Sequence, residues 1–572
     1  MHTVDWIVLF GTLFLIVAYG TWKTRKNSNV KDFVGGSRDL NWFTIGLSVM
    51  ATQASAITFL SAPGLGYESG LGFVQFYFGL PLAMIVICAF VLPIYYNLRV
   101  TTAYEYLEKR FNLNTRLLAA FLFLVQRGLA AGLTIFAPAI ILSTLLGWNL
   151  NLTNIFVGVL VIVYTVSGGT KAVSITQKWQ MGVIMLGLVL AFIMLLQKIG
   201  DFTSLGTAME MAGSVGRLDV LDFNIDLNER YTVWSGLTGG FFLALSYFGT
   251  DQSQVQRYLG GRNLKESRLG LLFNGLVKIP MQFFILFIGV LVFVFYLYVQ
   301  PPLFFNKTAI EDLKTTEYAE ELETLQEKYD LQYTALQEAR ISFEQTLEES
   351  DEIKLANAKS NFLAAIDADQ SIREEVKALL LKSDADFKVK DTNYVFLTFV
   401  MDFLPIGVVG LIIALIFSAA MSSTSSELNA LATTTSVDFY QRLIDPDADE
   451  QKQLRISRWL TVGWGLIAIC FALVANLFDN LIEMVNLLGS LFYGTILGIF
   501  LVAFFIKYIK ARAVFWSALV AQSFVLLLHF GNSNDWPFFR SLKVEYLWYN
   551  VIGCVLVLVF SLIVQALSTR KS

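Results

Sequence analysis

Apolar runs of 18 or more residues follow one another along almost the whole chain. Each is long enough to cross a hydrocarbon core about 30 Å thick as an α-helix. Only 15% of the residues are charged and 55% are apolar, against roughly 25% charged in a soluble domain. Lipid, not water, therefore faces most of the surface, and the fold class is an all-α integral membrane protein. We read thirteen spans, at 5–22, 42–66, 71–97, 114–146, 151–167, 173–197, 233–254, 268–299, 403–435, 457–476, 481–506, 512–530 and 546–567.

Loops after alternate spans carry the basic residues. Lys23, Arg25, Lys26, Lys31 and Arg38 follow the first span, and the bias continues at Arg99, Lys109 and Arg110, at Arg257, Arg262, Lys265 and Arg268, at Arg442, Lys452, Arg455 and Arg458, and at Lys507, Lys510 and Arg512. The positive-inside rule makes these loops cytoplasmic. The N-terminus is then outside, and the C-terminal Arg570 and Lys571 are inside. The first run has no basic flank and no small-residue cleavage site, so it is expected to stay as a span. Cys88, Cys470 and Cys554 lie singly in apolar runs, and His2 and His529 are the only histidines. Disulfide, zinc and histidine-relay chemistry are not expected, and neither are an enzyme activity, an organic cofactor or a nucleic-acid partner.

Residues 301–393 break the pattern. They hold 21 acidic and 11 basic residues, which leaves 31 basic against 25 acidic elsewhere. Tyr318, Leu322, Leu325, Tyr329, Leu336, Phe343 and Leu347 recur mostly at three and four residues, with an interruption near Tyr333 and a second helical stretch beyond. This spacing predicts an external helical hairpin, either a solvated appendage or a docking element for a protein partner.

Polar groups are costly in hydrocarbon, so the informative residues are those that interrupt the apolar runs. In the second span Met50-Ala51-Thr52-Gln53-Ala54-Ser55-Ala56 places small and hydrogen-bonding residues at mid-depth, with Pro63, Gly64 and Gly66 following. Such a helix is easily interrupted. An interruption frees carbonyls that suit a hard cation and a helix N-terminus that attracts polar or anionic groups. In the ninth span, positions 419, 422, 423 and 426 of Ser418-Ala419-Ala420-Met421-Ser422-Ser423-Thr424-Ser425-Ser426 share one helical face. That strip of hydroxyls fits either a monovalent cation or close helix packing with hydroxyls bonded back to their own carbonyls.

At these two runs the chain resembles the sodium:solute symporter family of sodium-coupled sugar, proline, iodide, vitamin and sialic acid carriers. The matching stretches are Gly-Leu-Ser-Val-Met-Ala-Thr-Gln-Ala-Ser at 46–55, Ser-Gly-Gly-Thr-Lys-Ala-Val at 167–173, Thr-Asp-Gln-Ser-Gln-Val-Gln-Arg-Tyr at 250–258, Met-Ser-Ser-Thr-Ser-Ser-Glu-Leu-Asn-Ala at 421–430 and Val-Asp-Phe-Tyr at 437–440. The resemblance implies a multi-pass carrier of the cell membrane with a leucine-transporter-like core of two inverted five-helix repeats, at 41–200 and at 233–300 plus 394–506. Flanking these would be a first helix and loop at 1–40, an external loop at 201–232, the insert at 301–393 and two terminal helices at 507–572.

The resemblance also implies roles for individual residues. Sodium would be held by the carbonyls of Ala51, Ala54 and Ala419 and the hydroxyls of Ser422 and Ser423. A small solute would meet Gln53, Ser55 and Thr58 at the interruption, Gln75 and Tyr77 in the third span, Arg127 in the fourth, Tyr247 in the seventh and Lys278 in the eighth.

Departures narrow the reading. Several family members hold a second sodium with an aspartate where Gln177 stands here, although Ser425 and Ser426 of that site remain. One coupling ion is therefore expected. Gln53, Tyr77 and Ile482 replace the Asn, Glu and Gln of the sugar carriers, so a glucose-like hexose is not expected. Arg127 either grips a substrate carboxylate, or pairs structurally with a carboxylate such as Glu483 or sits at an interface. Two other readings stay open: an organic anion carried with two sodium ions, and a solute sensor or channel in which the insert is the working domain.

Overall fold

A computed structural model describes residues 1–24, 38–347, 351–385, 387, 389–474, 481–534, 536 and 544–569. Arg25, Lys26, Lys31, Arg570 and Lys571, used above to orient the chain, lie outside the described residues. Where they are described, the thirteen expected segments are largely helical, but they differ in how well each would cross a bilayer alone. Among the described residues nine helices are long and apolar enough to do so, and a bent pair makes a tenth.

The chain opens with α1 (Thr3–Thr24). The bent pair is α2 (Trp42–Gln53) and α3 (Ala56–Ser69), followed by α4 (Gly72–Leu98) and the short α5 (Glu105–Arg110). Next come α6 (Leu113–Leu146) and the long α7 (Leu150–Gly200). Gly169 breaks α7 with a φ of 62°, a backbone position that an L side chain rarely adopts. The fifth and sixth expected spans are therefore two helices meeting at that glycine. A surface helix α8 (Leu205–Ser214) leads to short turns at Val233–Ser235 and Gly236–Gly240, then α9 (Phe241–Thr250) and α10 (Gln252–Leu259). Asp251 separates these last two helices: its carboxylate accepts the Ser253 N–H at 2.8 Å and so caps α10.

The long helix α11 (Leu264–Tyr298) enters the insert, which holds α12 (Lys307–Leu313), α13 (Ala319–Leu347) and α14 (Glu352–Ser383). The remaining helices are α15 (Thr392–Phe403), α16 (Val408–Thr434, wound on as a wider turn through Ile444), α17 (Glu450–Ala472), α18 (Leu481–Phe505), α19 (Ala511–Ser533) and α20 (Leu547–Thr569).

The predicted hairpin is present in α13 and α14. Leu322, Leu325, Tyr329 and Phe343 bury themselves against Phe362, Ile372, Val376 and Leu379, as the three-and-four spacing requires. The hairpin does not stand clear of the membrane bundle. Gln337 donates to the Leu297 carbonyl at 2.6 Å, and Glu344 accepts from Thr203 at 2.6 Å and Tyr298 at 3.0 Å.

Glycines let α3 and α11 approach closely. A Cβ on Gly289 would stand 2.0 Å from the Pro63 carbonyl, and one on Gly66 would stand 2.2 Å from that of Leu286. The two backbones meet without side chains between them, the small-residue packing that replaces the hydrophobic drive in lipid. Gly289→Ala must push α3 away from α11. We expect a loss of about 1–3 kcal/mol, read as a lower melting temperature of the purified protein in detergent, whereas Gly182→Ala, at a glycine with open space, leaves it unchanged.

Candidate functional site

The helix starting at Trp42 ends at Gln53 because Ala54 and Ser55 leave the helical region, at ψ 82° and 172°. The two halves meet at 65°. Ser55 occupies the N-cap position of α3 without a side-chain cap bond, so the positive end of that helix is turned toward its surroundings.

The serine strip of α16 lies against this break. The Ser422 hydroxyl donates to the Ala51 carbonyl at 3.0 Å, and Ser423 donates to the Ala419 carbonyl at 3.0 Å. Ala51, Ala54, Ala419, Ser422 and Ser423 are all buried. Every donor in this set is a neutral oxygen, and among the described residues no group of His, Cys, Asp or Glu is arranged to hold a metal.

One step along the strip, Gln177 reaches in from α7. Its amide nitrogen bonds Ser426 Oγ at 2.7 Å, Thr52 Oγ1 at 3.1 Å and the Ser422 carbonyl at 3.2 Å, while its amide oxygen accepts from Ser48 at 2.5 Å. Ser425 donates to the Ser422 carbonyl at 3.1 Å. The Gln177 amide N–H₂ therefore holds Ser426 but not Ser425, whose hydroxyl turns to its own helix.

Beside the break is a cavity of about 90 Å³. Gln53, Ser55, Thr58, Tyr77, Arg127 and Tyr247 all line it. Gln75 and Lys278 do not. The Gln75 amide is consumed in holding the loop before α9, donating to the Tyr231 carbonyl at 2.8 Å and accepting the Asp222 N–H at 2.9 Å. Lys278 is fully buried outside the cavity wall, its Nζ 5.4 Å from the centre of the Tyr77 ring and without a hydrogen bond.

The reading of Arg127 needs correction in its partner. Arg127 bonds Glu427 Oε1 at 3.0 Å through Nη1, Asp251 through Nε at 3.1 Å and through Nη2, and the Tyr493 hydroxyl at 2.5 Å. Tyr247 covers the guanidinium with its ring centre at 5.3 Å. Glu483 is elsewhere, paired to Arg230 at 2.5 Å. With its N–H groups committed to two carboxylates, Arg127 cross-links α6, α16, α18 and the α9–α10 break, and does not present an open fork to a ligand.

Asp251, Glu427, Tyr493, Gln126 and Asn486 complete the wall or its support, and residue-by-residue reading missed them. Glu427 had a signal, being an acid inside an otherwise apolar span. Gln53 Oε1 and Gln126 Oε1 are buried and have no hydrogen-bond partner among the described residues. Removing the cross-link tests its weight. Arg127→Leu leaves two buried carboxylates unmatched and is expected to cost about 3–5 kcal/mol, seen as a collapse of thermal stability, whereas Glu427→Gln, which keeps an acceptor for Nη1, costs less in the same assay.

Comparison with known proteins accords with this geometry. A description of the sodium:solute symporter family matches residues 33–321 and 381–521. Sodium-coupled monocarboxylate transporter 2 of Mus musculus is 32% identical over 47% of this chain and 44% of its own length, so the chain spans under half of that relative. The sodium-dependent multivitamin transporter of Oryctolagus cuniculus is 26% identical over 88% of this chain and 66% of its own length. Among solved structures, a Na⁺-coupled sialic acid symporter in a substrate-bound outward-open state superposes with a TM-score of 0.74 at 22% identity, over 99% of this chain and 98% of the other. That likeness is one of fold.

Proposed function

Because the chain belongs to the sodium:solute symporter family, we propose that it moves a small polar organic solute across a cell membrane together with sodium, by alternating access. The observation that carries this reading is the contact between the broken second span and the serine strip, Ser422 to the Ala51 carbonyl at 3.0 Å. An arriving sodium ion turns the Ser422 hydrogen away, so that both oxygens face the ion with Ala54, Ala419 and Ser423. The ion then holds α2 against α16. The solute sits beside the same break, donating to Gln53 Oε1 and meeting the uncapped end of α3. Both ligands favour one arrangement of one hinge, which is the condition for coupling.

Two ion-pair belts flank the cavity as gates. Arg230 and Glu483, with Glu545 and Lys390, stand toward the insert. Arg116 joins Asp438 and Glu108 at the other end. We place the insert and N-terminus outside, from the distribution of basic loops.

We infer one sodium ion per cycle, a reading supported by the Gln177 amide bonded to Ser426. Through 100 mV and a tenfold gradient, one ion supplies about 2.3 plus 1.4 kcal/mol and concentrates a neutral solute about 500-fold. For a monovalent anion the electrical part cancels and only about tenfold remains. With Arg127 committed to acids and one ion available, a neutral or zwitterionic solute fits better than an organic anion carried with two sodium ions. The sensor or channel reading is left with less support, since α13 is bonded to the bundle rather than held as a separate domain.

In proteoliposomes, replacing sodium by choline at constant pH is expected to abolish uptake, and Ser422→Ala with Ser423→Ala to raise the half-saturating sodium concentration at least about tenfold. Uptake that stays equally responsive to sodium in that double variant would sink the proposal. Gln177→Asp replaces the N–H₂ group by a carboxylate oxygen. Charge moved per solute is expected to rise toward two sodium ions in that variant, and an unchanged ratio would remove Gln177 as the determinant.

A further inference from the structure

A second cavity, of about 120 Å³, opens where α14 of the insert meets the ends of α3 and α11. The α14 residues lining it, among them Ile366, Asp369, Arg373 and Lys377, recur at three- and four-residue intervals and form one helical face. That face is polar, although it is turned toward protein, where a helix ordinarily presents apolar side chains. Arg373 is fully engaged, with Nε on Asp369 Oδ2 at 3.0 Å and Nη2 on the Tyr329 hydroxyl at 2.5 Å.

Two polar atoms of charged side chains in the same wall have no hydrogen-bond partner among the described residues. They are Asp369 Oδ1, on a carboxylate that pairs with Arg373 through its other oxygen, and Arg217 Nε, and both are shut off from solvent. Arg217 comes from the loop after α8, and its guanidinium stacks 5.0 Å from the centre of the Phe293 ring. Burial pushes its pKa below the ordinary value, outweighing the opposite pull of Tyr67 and Glu68. A buried hydrogen-bonding atom without a partner is costly, and a cavity lined by both residues is a place where one ligand can satisfy both.

The rest of the wall limits what that ligand is. It carries four basic and four acidic side chains, so neither a net anion nor a net cation gains from the overall field. An anion on Arg217 would leave Asp369 Oδ1 unmet, and a cation on Asp369 would leave Arg217 unmet. We propose that this cavity binds a small zwitterion, its carboxylate on Arg217 and its ammonium group on Asp369 Oδ1, with Tyr67 and Phe304 enclosing the carbon skeleton. The site is separate from the central cavity and stands whether or not the transport reading does. It also touches that reading, because α3 runs from the break at Ala54–Ser55 to Tyr67 in this wall, so an occupant holds the far end of the hinged helix.

Calorimetry on the full chain in lipid nanodiscs, in sodium-free choline buffer, tests the site with three probes of matched size: L-alanine, propionate and propylamine. L-Alanine is expected to bind at least about tenfold more tightly than either single-charge probe, since each of those leaves one of the two buried atoms unmet. Arg217→Gln and Asp369→Asn each weaken alanine by a similar factor, and Ile366→Trp, which fills the cavity without touching either charge, abolishes binding. Arg217→Lys, which keeps the charge, retains most of the affinity and separates loss of the contact from misfolding. Tyr247→Ala, in the central cavity, leaves this binding unmoved. The proposal is overturned if alanine binds no better than propionate or propylamine, if Ile366→Trp leaves its binding intact, or if Tyr247→Ala removes it; the cavity then holds water alone.

Discussion

Two residues of non-helical backbone, Ala54 and Ser55, set the conditions for the rest of the molecule. Inside a bilayer an interrupted helix exposes carbonyl and amide groups that lipid cannot satisfy. A neighbour must therefore bring oxygens and hydroxyls to the break, and α16 does so with a strip of serines that are themselves buried. The same demand explains why α3 lies on α11 through glycines: a helix bent by 65° keeps its place only if its second half is held closely along its length.

Charge is handled by enclosure. Arg127 stands between Asp251 and Glu427 from different elements, with Tyr493 closing the ring of hydrogen bonds. A buried ion cluster of this kind gives little net stability, yet losing one member is expensive, so it specifies how α6, α16 and α18 sit together. The same cluster forms part of the cavity wall beside the break. Gln177 shows the opposite solution. A neutral amide meets the Thr52 and Ser426 hydroxyls and the Ser422 carbonyl, and no charge has to be buried there at all.

The insert packs both on itself and on the helix bundle. One face of its hairpin is an ordinary apolar seam between α13 and α14, and another reaches the bundle through Gln337, Glu344 and the polar wall around Arg373. Its acidity is a property of the solvated surface and says nothing about the contacts beneath.

The amino-acid sequence by itself determined the medium, the helical class, the hairpin and the weak point of the second span. These follow from local composition and period: long apolar runs, a three-and-four repeat, small polar residues at mid-depth. It also marked Gln53, Ser55, Thr58, Tyr77 and Tyr247, through motif likeness, as residues near one another. Partnership was decided only by the tertiary structure. Arg127 is one cation among several acids that a linear reading treats alike, and Glu427, 300 residues away, became its partner in place of Glu483 because α16 faces α6 while the start of α18 faces Arg230. Gln75 left the cavity and Lys278 fell behind Tyr77 for the same reason. Hydrogen-bond satisfaction and helix rotation are properties of packed neighbours, and those neighbours come from distant stretches of chain.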